Sequence, residues 1–515
     1  MKINLININA RSASFEIIND LCYYNDFSCD IYVDDSLAIK DERRNVFSVY
    51  DLYPHKQYVL KVVYGKHETK VDFTTKYESA FLDITDFGAK GDGITDDTLQ
   101  FQSAINIAPY DSTVYVPKGV YKLCPVFLKS GVNIYIDKDA TLLGETSRLK
   151  YPIVPAQLLV DGVISEVNSW EGNPNKTFAS LFTGIFIKDV TIYGCGIIDE
   201  NANNSDWWIR AKEIRIAARP KGIFLSNCDN VTIQGITITN TPSWNLHPYF
   251  SNNFNVIDAK LLSPKDSPNT DGCDPDSTSN INIIGVYISV GDDCIAIKSG
   301  KFDIGMKYRK PTENIVIRNC YMRDGHGAVV LGSEMSGGIR NLNISKCLFE
   351  NTDRGLRIKT RRGRGESAVI DNITFDNLVM KNVLTPLVMN MYYYCDADGK
   401  TEYVWSKKKL PVDNRTPFLG RFYFRNMVCT DVNVAAGYFY GLPERPIKSI
   451  TLENITVTYS KNPKDFMPAM MDGISPMSLH GYEFRFVENV NIKNVKIEKT
   501  QYESFVFENV DNIKK

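Results

Sequence analysis

No stretch of the 515-residue chain stays apolar for the length that a membrane span requires. Residues 1–16, MKINLININARSASFE, also lack the continuous apolar core of a secretory signal. Positive charge is not in excess. The formal net charge of −2 speaks against a general nucleic-acid binder and leaves room only for a local basic patch. Paired cysteines are missing too: the 11 cysteines are odd in number, scattered singly, and make no CxxC motif. Cys228, Cys294, Cys320 and Cys347 lie in apolar runs, where a thiol usually serves as a small buried hydrophobe. Together these absences favour a reducing, cytoplasmic setting with no membrane partner as the expectation, or an extracellular one if a leader has been removed. A phosphate loop is excluded as well, because the glycine-rich residues 88–93 lack the GxxxxGK[ST] order.

What the chain does hold is 43% hydrophobic and 23% charged residues, a balance that supports a soluble protein with a large core. Its length exceeds one ordinary compact domain, although a repeat fold can run this far as a single unit. Residues 1–78 alternate apolar and polar in short runs such as Ser14-Phe15-Glu16-Ile17 and Tyr58-Val59-Leu60-Lys61-Val62-Val63, broken by turn residues. That pattern predicts a small antiparallel β-sandwich. Tyr58 after the Pro54 turn, and the closing run Val71-Asp72-Phe73-Thr74-Thr75, resemble the late strands of a fibronectin type III domain. Such a module is expected to dock or to act as a spacer, with no chemistry of its own.

Residues 82–515 form the second unit. Thr95-Asp96-Asp97-Thr98 followed by Leu99, Phe101, Ala104 and Ile105 predicts a capped helix with apolar spacing of three to four. From about residue 185 a unit repeats: an Asn or Asp, then alternating β-branched residues. Asn230-Val231-Thr232-Ile233, Asn280-Ile281-Asn282-Ile283, Asn314-Ile315-Val316-Ile317, Asn341-Leu342-Asn343-Ile344 and Asn372-Ile373-Thr374-Phe375 are copies. The central copies recur roughly every 25 to 34 residues, which is too short for four-stranded propeller blades. Two or three short strands per unit fit an all-β parallel β-helix whose coils stack about 4.8 Å apart. The leading Asn suits the corner, by a left-handed backbone or a side-chain ladder.

If each repeat is one coil, unusual residues fall at equivalent places on neighbouring coils. Asp271 precedes the coil beginning near Asn280, and Asp292 and Asp293 end its strands. His326 ends those of the next coil, and Arg357 and Lys359 lie on the one after. They would make one column along a cleft. In a regular strand Asp292 and Asp293 would face opposite ways, so Gly291 is expected to turn the backbone and let both reach it. Paired carboxylates suit glycoside hydrolysis, one as proton donor and another activating water. Like-charge crowding raises one pKa and so keeps an acid available at neutral pH. Arg357 and Lys359, extended by Arg361-Arg362-Gly363-Arg364-Gly365, would attract an acidic sugar. Asp274 and Asp276 read as turn-formers or supports. The same acidic turn could instead hold Ca²⁺, as in a β-helix pectate lyase.

The ordered set Asn269-Thr270-Asp271, Gly291-Asp292-Asp293, Gly325-His326-Gly327 and Arg357-Ile358-Lys359 resembles the signature of the polygalacturonase family of glycoside hydrolases. The resemblance covers about residues 82–510. It implies a right-handed parallel β-helix whose open end is capped by a short helix. It further implies inverting hydrolysis of α-1,4-linked galacturonic acid with no metal or organic cofactor. Carried over by position, Asp292 is the general acid, Asp271 and Asp293 hold and activate water, and His326 orients or tunes the acid. Arg357 and Lys359 grip the galacturonate carboxylate. Tyr393, with Tyr392 as its rival, matches a substrate-binding tyrosine, and Asn269, Arg361 and Trp208 join the substrate-binding set. Gly332-Ser333-Glu334-Met335-Ser336-Gly337-Gly338 and the Arg361–Arg364 strip resemble the bacterial exo-acting branch and, with long insertions at residues 145–182 and 201–220, favour exo action on oligogalacturonides. Endo action, hydrolysis of rhamnogalacturonan or xylogalacturonan, and a non-catalytic carbohydrate-binding β-helix are the alternatives.

Overall fold

The computed structural model describes residues 2–515. Period-two alternation drives the N-terminal unit: along Gln57–Tyr64 it buries Tyr58, Leu60 and Val62 and leaves Gln57 in water. Among the described residues a three-stranded antiparallel sheet (Lys2–Ile8, Ala13–Ile18, Val46–Val49) faces a four-stranded one (Tyr24–Val33, Ser36–Arg44, Gln57–Tyr64, His67–Thr74). Phe15, Phe47 and Phe73 fill the space between them. The Tyr58 hydroxyl accepts the backbone N–H of Tyr53 at 2.7 Å and so fastens the Pro54 turn.

This unit is not a spacer. It lies lengthwise along the second unit and bonds to coil after coil. Arg44 pairs with Asp258 at 2.5 Å, and Glu16 accepts from Arg318 Nη2 at 2.9 Å and Asn319 Nδ2 at 2.7 Å. Further along, the Tyr23 N–H reaches the Lys346 carbonyl at 3.1 Å, and Asn377 Nδ2 donates to the Asp20 carbonyl at 2.6 Å.

The second unit is a right-handed parallel β-helix built on a 28-stranded sheet, counted among the described residues. A typical coil has three strands, such as Ser279–Ile284, Tyr287–Ser289 and Ile295–Ile297; each pairs in parallel register with Thr312–Arg318, Tyr321–Arg323 and Val329–Gly332 of the next. One core column runs Val231, Phe254, Ile281, Ile315, Leu342, Ile373, Phe422, Ile450, Val490, each residue paired with the next. The corner asparagines use both devices expected of them. Asn280, Asn314, Asn341 and Asn372 take left-handed φ of 57°, 58°, 53° and 60°. Their amides also bond in a ladder, Asn314 to Asn280 at 3.1 Å, Asn341 to Asn314 at 3.1 Å and Asn372 to Asn341 at 2.8 Å. Helix Thr98–Ile107 closes the first coil by burying Phe101, Ala104 and Ile105 in the same core. Cys228, Cys294, Cys320 and Cys347 are buried, free thiols.

Candidate active site

One strand, Arg354–Lys359, carries both Arg357 and Lys359, and the turns that lead into the strands stacked before it carry the acids and His326. In Arg354–Lys359 the alternation sends Leu356 and Ile358 into the core and leaves Arg357 and Lys359 facing outward. Parallel register sets Arg357 beside Val330 and Lys359 beside Gly332. The preceding turns stack through their backbones: Gly272 N–H donates to the Asp293 carbonyl at 3.0 Å, and His326 N–H to the Asp292 carbonyl at 3.0 Å. Asp292 and Asp293 therefore lead into Ile295–Ile297 rather than ending a strand. Gly291 also works differently from expectation. Its φ lies outside the left-handed region, but a Cβ there would meet the Ser267 carbonyl oxygen at 2.4 Å and that of Pro264 at 2.7 Å. Close packing of two turns requires the glycine, and the bend at Gly291 and Asp292 brings both carboxylates to one side.

The outcome is a compact set of acids. Carboxylate oxygens of Asp271, Asp292 and Asp293 all lie within 4.8 Å of one another. Their surroundings drive their protonation apart. Burial would raise Asp293, but Lys359 Nζ at 2.7 Å and Arg357 Nη1 at 3.5 Å outweigh it and hold the carboxyl at about 2. Burial, then the neighbouring Asp293, raises Asp292, with Lys359, His326 and Arg357 opposing. Asp271 is pushed well above the ordinary range by burial and by Asp274 and Asp292. His326 is exposed; the hydrogen bond from its Nδ1 to Asp353 Oδ2 at 2.9 Å raises its pKa, and the nearby Asp292 and Asp293 add to this.

The expected site residues Asp271, Asp292, Asp293, His326, Arg357 and Lys359 thus come together. Tyr393 joins them: the Lys359 ammonium sits 5.8 Å from its ring centre. Its rival Tyr392 turns the other way into the core, edge-on to Tyr440 at 4.9 Å and beneath Lys407. Asn269 stands at the margin, its side-chain oxygen taken by Arg219.

Two expectations fail. Arg361 is not part of an open basic strip. It is 1% exposed, donates to the Cys395 carbonyl at 2.9 Å and pairs with Asp396 and Asp398, so its charge anchors a loop. Arg362 is equally buried against Glu444 at 2.5 Å. Trp208 packs into a separate small cluster with Tyr151, Phe178 and Trp207, and its indole N–H is spent on the Thr241 carbonyl at 3.1 Å.

Sequence reasoning passed over Lys298, Glu334 and Asp353 as site residues. Asp353 lies one coil beyond His326, and that spacing could have pointed to it. Lys298 directly follows the apolar run of Ile295–Ile297, and its ammonium lies 3.8 Å from Asp271, 3.2 Å from Asp274 and 3.6 Å from Glu334. A protein cation therefore already sits against two carboxylates of the acidic turn, Asp271 and Asp274, which counts against the Ca²⁺ reading. Asp274 and Asp276 are fully buried supports.

Insertions wall the cleft. Residues 145–182 descend on one end, where Lys301 N–H reaches the Gly172 carbonyl at 2.9 Å and the Lys301 ammonium reaches Asp396 at 3.3 Å. At another side Arg357 Nη2 meets the Met470 sulfur at 2.7 Å, and Asn390 Nδ2 the Met470 carbonyl at 2.9 Å.

Residues 109–466 match the family described as glycosyl hydrolases family 28. A probable polygalacturonase of Vitis vinifera is 32% identical over 382 residues, spanning 73% of this chain and 73% of the relative. An exo-poly-alpha-D-galacturonosidase of Dickeya chrysanthemi is 28% identical over 406 residues, 68% of this chain and 64% of the relative. Relatives named for endo action match too. The solved family 28 exopolygalacturonase of Yersinia enterocolitica superposes with a TM-score of 0.71 at 18% identity, covering 99% of this chain and 98% of that one. That likeness shows the fold. With half of its length or more inside the family match, and its acids, histidine and cations gathered on one face of the coil, this chain belongs to glycosyl hydrolases family 28 and is a glycoside hydrolase of the polygalacturonase family.

Proposed function

We propose that the protein hydrolyses α-1,4-galacturonosidic bonds of oligogalacturonides from the non-reducing end, releasing galacturonic acid with inversion. The observation that carries this reading is one raised and one depressed carboxyl, Asp292 and Asp293, beside the cations Arg357 and Lys359. Asp292 donates its proton to the glycosidic oxygen. Asp293 and Asp271 hold a water and take its proton as the water attacks the anomeric carbon. Arg357, Lys359 and the Tyr393 hydroxyl engage the substrate carboxylate and ring; His326, fixed by Asp353, tunes the acid. Exo action is supported by the insertion of residues 145–182 closing down on Lys301 at one end of the cleft. A cytoplasmic setting, supported by 11 free thiols, suits short imported oligomers better than polymer; fractionation that found the enzyme wholly outside the cell would reject it.

The test is hydrolysis of trigalacturonate and polygalacturonate in EDTA, with products followed by chromatography and by absorbance of unsaturated uronates. Galacturonic acid as sole early product, with no such absorbance, is expected. Early mixed oligomers would indicate endo action, an unsaturated product a lyase, and turnover of rhamnogalacturonan or xylogalacturonan alone a different backbone. The three carboxylates lie within 4.8 Å of one another, closer than the roughly 6.5–9.5 Å usual for an inverting acid–base pair, so the anomer released is the direct test of inversion. Proton NMR of the first product decides: the β-anomer is expected, and the α-anomer would replace inversion by a double displacement.

A further inference from the structure

Behind Asp271 the cleft floor holds charges that the proposed reaction does not use. The Lys298 side chain enters this floor from the strand end after Ile297 and rests 4.8 Å from the ring centre of Trp244. Its ammonium lies within 4 Å of three carboxylates, Asp271, Asp274 and Glu334, all nearly or fully buried. Neither oxygen of Asp274 has a hydrogen-bond partner among the described residues, so this ammonium is its main compensation. One cation shared by three acids cannot fully neutralise each. How its field divides decides the ionisation of Asp271.

Glu334 is the member that can shift that division. Lys298 faces it on one side; Lys301, Arg364 and Lys359 also attract it, and its carboxyl is held at about 2 although burial opposes this. Glu171 adds a like charge nearby. Asp271 in turn faces Asp274, Asp292 and Asp293, with Arg219 as its other cationic neighbour. Asp276 and His247 lie behind Lys298, and Lys359 faces it from two strands along the stack.

We propose that Lys298 and Glu334 are a positioning pair for Asp271: the ammonium holds Asp271 in place for the water and favours its ionised form against the opposing burial and the neighbouring Asp274 and Asp292, and Glu334 sets how much of that charge Asp271 feels. The inference rests on the reading of Asp271 as a water-activating carboxylate. Both side chains are largely buried beneath the cleft, so they act through Asp271 rather than on the substrate.

The experiment compares pH profiles of kcat on trigalacturonate for the wild type, Lys298→Met and Glu334→Gln. An opposite charge at this range lowers a carboxyl pKa by about 1–3 units, so Lys298→Met should move the acidic limb upward by about that much. Maximal kcat should fall at least tenfold with a smaller change in KM. Glu334→Gln removes the competitor, so the limb should move the other way, to lower pH, in an enzyme that remains active. Opposite shifts are the expected signature, because simple loss of packing would not change sign between the two variants. Limbs that stay in place, or move together, would overturn the pairing, and Glu334→Gln keeps the test decisive if Lys298→Met fails to fold. Asp271→Asn separates the two readings: if it retained wild-type activity and profile, the role of Asp271 would fall whatever Lys298 does.

Discussion

Asp292→Asn should lower kcat on oligogalacturonide by roughly 10²–10⁴-fold with little change in KM, the usual contribution of a positioned proton donor. The side chain of Asp292 makes no hydrogen bond among the described residues and is half-buried at the cleft, with Asp293 beside it. The isosteric amide keeps that shape and removes the transferable proton. Because burial and Asp293 raise the Asp292 pKa, the alkaline limb of the wild-type profile should lie above the ordinary carboxyl range. An aryl galacturonide whose leaving group needs no protonation should lose far less activity in the variant. Equal loss on both substrates would show that Asp292 does something other than deliver a proton. Retention of a tenth of wild-type activity on the oligomer would remove it from the mechanism altogether.

Lys359→Met should destabilise the fold by about 3–5 kcal/mol at pH 7, the cost of leaving one member of a buried ion pair unpaired. Asp293 and Lys359 side chains are 2% and 12% exposed, and their charged atoms lie 2.7 Å apart. The pH dependence has a definite sign. The folded-state pKa of Asp293, about 2, is below its unfolded value, so the stabilisation is present above about pH 4 and is lost as pH falls towards 2. The gap between wild type and variant should therefore narrow over that range in denaturant titrations. A gap that stays constant with pH would mean that Lys359 contributes packing rather than charge. Activity should fall as well, since the proposed carboxylate-binding pair of Arg357 and Lys359 loses one cation.

The column of Asp271, Asp292, Asp293, His326, Arg357 and Lys359 was legible in the sequence because coil stacking turns spacing into proximity. Residues at the same phase of successive repeats must meet, whatever the details of each turn. The corner asparagines were readable for the same reason. Arg361 and Trp208 were misread because charge and aromaticity name a side chain without naming its partner. The partners of Arg361 are Asp396 and Asp398, in a loop whose path follows no period. Thr241, which takes the Trp208 N–H, belongs to another coil's turn. Gly291 was identified as special for the wrong cause: a left-handed turn is a local property, whereas the Ser267 and Pro264 carbonyls that forbid a side chain arrive from an earlier coil. Lys298 escaped notice because a lone lysine after an apolar run looks like a solvated strand end. Its burial comes from Trp244, Asp274 and Glu334, on neighbouring coils.

A solenoid whose coils touch only their neighbours can in principle unzip one rung at a time from either end. Here the small sandwich acts as a splint. Its bonds to Asp258, Arg318, Lys346 and Asn377 tie together rungs that otherwise communicate only in sequence. Opening any one rung in that stretch means breaking a contact with a single rigid body that also grips the others. Those rungs are the ones that carry Asp271, Asp292, Asp293, His326, Arg357 and Lys359. The N-terminal unit thus makes fraying of the catalytic coils a collective event, and the spacing between the clustered carboxylates and cations is held against the local breathing that a bare stack would allow.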